Sequence, residues 1–164
     1  MKRFVALILA VLMIGALLAA CGSATVTTTV SAKYDDGYAK QYADKTSTDK
    51  DGNIVYVFSQ EQYDEFVSRH KGSVTNGIKE DITSTHGKAF GQYAYINDDK
   101  QAFIIGLNPG EYDESYAKEE APAYAEKAFA YFQNLEKPVS SIKVIFCNAN
   151  DQDEIYGSFT FTVE

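Results

Sequence analysis

Ile54-Val55-Tyr56-Val57-Phe58-Ser59-Gln60-Glu61-Gln62 is the stretch on which the fold depends. Its first five residues are β-branched or aromatic and follow a turn signal, Thr48-Asp49-Lys50-Asp51-Gly52-Asn53, so they read as a buried strand. Ser59 with Gln62 three residues later is a capping box, in which each side chain satisfies an amide left open at a helix start. Tyr63, Phe66, Val67, His70, Val74, Ile78 and Ile82 then continue as one apolar stripe at helical spacing. Gly72 and Gly77 interrupt the stripe, which allows one long helix or two nearly collinear ones, with Gly87 as the stop.

Downstream, Tyr93–Ile96 and Ala102–Leu107 read as a hairpin turning at Asn97-Asp98-Asp99-Lys100. Asn108-Pro109-Gly110 stops the second strand. A second helical stripe comprises Ala121, Tyr124, Ala125, Ala128, Phe129, Phe132 and Leu135. Pro122 suits a first helical turn, which makes Glu111–Glu120 a separate turn. Ile142–Cys147 and Ile155–Val163 complete the chain as strands around a polar loop. The expected fold is α+β: an antiparallel sheet of about five strands with two main helices on one face. Its helix-strand-strand unit occurs twice, which suggests a repeat without residue-level identity between the halves.

Upstream, Tyr34, Tyr38 and Tyr42 are spaced for one helix face, although Gly37 weakens that helix, and core packing explains the stripe. Residues 22–32 are small, Thr-rich and uncharged, and read as an extended tether whose β-branched content also permits a short strand. Before them stands Met1-Lys2-Arg3 and an apolar run of 15 residues, Phe4 to Leu18. A basic start followed by a run of that length, short of the about 20 residues that span a bilayer, is the layout of a secretory signal peptide.

Leu18-Ala19-Ala20-Cys21, placed after that run, resembles the lipobox of bacterial lipoproteins. The resemblance implies cleavage before Cys21 and a diacylglyceryl group on its thiol. The organisation is then a signal peptide at 1–20, a lipidated cysteine and flexible tether at 21–33, and one α+β domain at 34–164. Anchoring by two acyl chains is stable, at about 0.8 kcal/mol per buried methylene. Cleavage also removes Lys2 and Arg3, taking the net charge from −8 to −10. An acidic domain gains nothing from anionic headgroups, so it is expected to stand off the surface on its tether.

The same charge argues against a nucleic-acid partner, which requires a basic surface. The composition, 45% hydrophobic and 23% charged, belongs to a globular chain and not to a disordered or disulfide-dense one. Cys147 is the second of two cysteines; with Cys21 lipidated it stays unpaired and reads as a small buried hydrophobe.

Catalytic patterns are weak. His70 belongs to the helix stripe and His86 to the helix end, where a cation complements the dipole. Neither stands in a hydrolase or zinc motif. Asp49-x-Asp51-x-Asn53 resembles the start of a calcium loop, but Ile54 and Gln60 occupy positions where glycine and glutamate are required, and a plain turn has the same composition. Asp151, Asp153 and Glu154 read as a solvated loop. Acidic residues number 23, so a hydrolase using paired carboxylates is an alternative that no particular pair marks out. Tyrosine is abundant, at 12 residues, and combines area with a polar tip. Tyr93, Tyr95 and Tyr156 are the expected binding surface, with Tyr112 and Tyr116 as further candidates near turns.

These readings describe a protein on the extracytoplasmic face of the cell membrane, held by lipid and free of any other cofactor. Its expected role is non-catalytic binding, of another envelope or extracellular protein or of a small ligand. The alternatives are the carboxylate hydrolase and a calcium-stabilised surface module.

Overall fold

The computed structural model describes residues 24–86 and 93–163 of the 164. The signal peptide, Cys21 and Gly87 lie outside the described residues. Strands β1 (Thr25–Val30), β2 (Lys45–Thr48) and β3 (Ile54–Ser59) precede helix α1 (Gln60–His86). Strands β4 (Tyr93–Asn97) and β5 (Ala102–Leu107) lead to helix α2 (Glu114–Gln133), and β6 (Ser141–Asn148) and β7 (Asp151–Thr162) end the fold.

The α+β class stands, but the strands form two sheets instead of one. A three-stranded antiparallel sheet has the order β1-β3-β2, and a four-stranded sheet has the order β4-β5-β6-β7. The second sheet is mixed: β4/β5 and β6/β7 are antiparallel hairpins, whereas β5 and β6 run parallel. The cause is α2. A helix inserted between two strands carries the chain back to the end from which it left, so the next strand enters parallel.

Two strands were missed in the sequence. Thr25–Val30, read there as tether, alternates exposed threonines with buried Val26, Thr28 and Val30, and pairs with β3 in the register Thr25↔Ser59 to Val30↔Ile54. Lys45–Thr48 is exposed at every position and has no apolar face to reveal it.

The capping box forms as expected: Gln62 N–H donates to Ser59 Oγ at 3.3 Å, and Ser59 N–H donates to Gln62 Oε1 at 2.7 Å. α1 is one helix of 27 residues through both glycines. Phe66, His70, Ile78 and Ile82 are its buried stripe. α2 begins earlier than Pro122 suggests. Asp113 caps it, accepting from Tyr116 N–H at 2.9 Å, and Pro122 lies inside the helix. The carbonyl that loses its donor there is Lys118's, an exposed residue within reach of water. The segment of Tyr34, Tyr38 and Tyr42 forms only a short 3-10 turn at Ala39–Gln41, with Gly37 at φ +72°, yet all three rings pack against the core.

Both helices cover one face of the four-stranded sheet, where Ile96, Phe103, Ile105, Leu107, Val144 and Phe146 join the main core. The opposite face of that sheet carries a second, smaller cluster.

Candidate functional site

The second cluster comprises Ala102, Ile104, Ile145 and Cys147, with Tyr93 and Tyr95 packed on it. Alternation along β4 puts Ala94 and Ile96 toward the helices and the two tyrosines on the other face. Their ring centroids are 6.0 Å apart. Tyr93 lies over Gly106 of β5, where any Cβ would collide with its ring atoms. Its hydroxyl donates to the Asn148 carbonyl at 3.4 Å and lies 3.6 Å from Cys147 Sγ. Burial and the neighbouring thiol push the Tyr93 phenol above its usual range, so it stays protonated. Tyr95 donates to Gln152 Oε1 at 3.0 Å.

Tyr156 does not join them. The β6/β7 pairing passes from Phe146↔Gly157 to Cys147↔Ile155, so Tyr156 is the extra residue of a β-bulge. The slip transfers Ile155 to the cross-strand position of Cys147, where it is 55% exposed. Tyr156 instead meets Tyr112 with its ring tilted by 31° at 5.6 Å, and Tyr112 packs on Phe146 of the main core. The expected three-tyrosine surface is therefore two tyrosines and an isoleucine. Tyr116 is half-buried, its hydroxyl 2.6 Å from that of Tyr124.

His70 is 1% exposed and donates through Nε2–H to Asp36 Oδ2 at 2.7 Å. Tyr38 stacks on the imidazole at 4.8 Å and Tyr131 meets it edge-on at 5.8 Å. Nδ1 has no hydrogen-bond partner among the described residues. Burial raises the Asp36 carboxyl, but the His70 hydrogen bond and the Tyr38 amide outweigh it and hold the group low. Sequence reasoning placed His70 on the packed stripe but had no signal for Asp36, 34 residues away. A second polar tie lies close by: Asp98 accepts from Lys71 Nζ at 2.5 Å and from the Tyr131 hydroxyl at 3.0 Å, joining both helices to the β4–β5 turn. The side chain of His86 lies outside the described residues.

Asp49 closes the β2–β3 turn. Its Oδ1 accepts from the amides of Asp51 and Asn53, both at 2.9 Å, and its Oδ2 accepts from Asn53 Nδ2 at 3.0 Å. Both oxygens thus serve donors of their own loop, and those bonds lower the Asp49 carboxyl. Among the described residues no group of three or more His, Cys, Asp or Glu side chains converges on a point a metal could occupy. Asp151 and Glu154 also bond locally, to Asp153 N–H and Asn148 Nδ2. Asp36 and Asp49 are held low, opposite to the raised carboxyl that a general acid requires.

No protein-family model, characterised protein or solved structure gives a significant match to this chain. Among the described residues no helix is long and apolar enough to cross a membrane.

Proposed function

We propose that this chain is a lipid-anchored extracytoplasmic protein whose domain is a non-catalytic binding module. Its partner is another envelope or extracellular protein, met by the face of the four-stranded sheet turned away from the helices. The observation that carries this reading is the composition of that face. A sheet with one face on the core normally presents polar side chains on the other. Here the second face carries Ile104, Ile145 and Cys147 beneath Tyr93 and Tyr95, with Ile155 exposed at the rim. Aromatic anchors beside aliphatic side chains are the composition of a recognition patch. Lipidation at Cys21 supplies the location, on the strength of the signal sequence and lipobox.

The test is site-specific photo-crosslinking in intact cells of the native host. A photoreactive residue at Ile155 or Tyr95 should give a discrete, saturable protein adduct, and one at exposed Glu65 of α1 should not. Equal labelling from all three positions, or from none, would contradict the proposed face.

A further inference from the structure

The sequence assigns about a dozen residues to the tether, but the structure leaves far fewer. β1 starts at Thr25, and Ala24 is already fixed: its carbonyl accepts the Gln60 N–H at 3.0 Å. Only Gly22 and Ser23 separate Cys21 from that ordered residue. Three peptide units, fully extended, reach about 10–11 Å. A domain of this length has a radius of gyration of about 14 Å. A leash shorter than the body it holds cannot let that body turn freely.

We infer that the end of the domain where β1 begins, β3 passes into α1 and β2 begins is its membrane-facing surface, held against the lipid headgroups by the anchor. The inference rests on the lipidation of Cys21 proposed above. Four elements terminate together there. Thr25 pairs with Ser59, Lys45 pairs with Val57, and Gln62 Nε2 donates to Asp44 Oδ1 at 2.8 Å across the end. Exposed charged groups on this rim include Asp44, Lys45, Glu61 and Asp64. These carboxylates, in a chain of net charge −8, give no attraction to anionic lipid, so proximity comes from the leash and not from adhesion. The acidity of the rest of the domain opposes lying flat on an anionic bilayer, so α1 leads away from the surface. Its far end then stands well clear, since 27 residues extend about 40 Å. The domain expected to stand off on a long tether is thus seated on the membrane by one end.

The chain contains no tryptophan, so a single introduced one is a unique fluorophore. Glu61→Trp and Glu80→Trp would be made separately in the full chain and processed in a lipoprotein-competent host. They would then be reconstituted into phosphatidylcholine–phosphatidylglycerol vesicles with a nitroxide on the headgroup. Glu61 and Glu80 are both exposed and lie about 29 Å apart along the helix. Strong quenching at position 61, at least threefold that at position 80 and unchanged in 1 M salt, is the expected result. Inserting twelve Gly/Ser residues after Ser23 should abolish the difference. Equal quenching at both positions, or a difference that survives the insertion, overturns the inference. Intact mass measured on the same samples separates the two levels: a Cys21 without diacylglyceryl overturns the anchoring itself, and the seating with it.

Discussion

The Ala24 carbonyl receives the backbone N–H of Gln60, the first residue of α1, at 3.0 Å. That amide is one of the four that a helix cannot satisfy internally. The bond ties the start of β1 to the start of the longest helix. β1 is therefore part of the domain, and only Gly22 and Ser23 separate the proposed lipidation site, Cys21, from Ala24.

Removing β1 tests this integration. Val26 and Val30 are 7% and 0% exposed, and burying a valine contributes about 1.5–3 kcal/mol. A soluble domain of residues 31–164 should be at least about 3 kcal/mol less stable than residues 24–164 by urea unfolding. Equal midpoints would return Thr25–Val30 to the tether.

The His70–Asp36 pair gives a pH dependence whose sign follows from Asp36. Its carboxyl is held below the usual 3.8, so the unfolded chain takes up the proton first as pH falls. The stability it contributes is complete above that value and is lost as pH drops through the lower, folded pKa. Asp36→Asn should lower stability at neutral pH and flatten the decline below about pH 4. An unaltered acid limb in urea titrations at pH 3 to 7 would contradict the pairing.

Truncation at the other partner is more costly. His70→Ala removes a ring stacked by Tyr38 and leaves a cavity beside Phe66, for an expected loss of about 2–4 kcal/mol. His70→Phe keeps the stacking and should recover more than half of that loss, measured by thermal unfolding.

Gly106 and Tyr93 are coupled. Gly106→Ala drives a methyl into the Tyr93 ring and should destabilise by about 1–3 kcal/mol. In a Tyr93→Leu background the same change should cost less than about half as much, giving a coupling energy that a double-mutant cycle detects. Additive effects would mean that the ring does not cover Gly106.

Asp49→Ala removes three hydrogen bonds within the β2–β3 turn and should lower the Tm of the domain modestly. Millimolar calcium should leave the Tm of the native domain unchanged, because both carboxylate oxygens already have donors. A rise in Tm with calcium that Asp49→Ala abolishes would overturn this reading of the turn.

Local chemistry made parts of this fold legible. Ser59 and Gln62 announce the start of α1, and the buried residues of α1 follow the stripe read from spacing, whereas α2 also buries Ala117, Tyr131 and Gln133, which its stripe omits. β1 and β2 were hidden for opposite reasons. Thr-Val-Thr-Thr-Thr-Val carries a period of two, but its small uncharged composition equally suits a linker, and only pairing with β3 decides. Lys-Thr-Ser-Thr has no apolar period at all. Pro122 hid the first two turns of α2, because a proline whose lost acceptor faces water need not end a helix. At the candidate surface, Tyr93 and Tyr95 share a face by simple alternation. Tyr156 was assigned there because a single-residue bulge at Cys147 reverses the alternation beyond it and leaves no trace in composition. The His70–Asp36 contact is tertiary and had no local signature.

The most direct test of the account is the mass of the N-terminal tryptic peptide from protein isolated from its native membrane. Trypsin cuts after Lys33, so the account predicts a peptide of residues 21–33 that begins at Cys21 and carries a diacylglyceryl group. A peptide that continues upstream of Cys21, or one that begins at Cys21 with a free thiol, would contradict it.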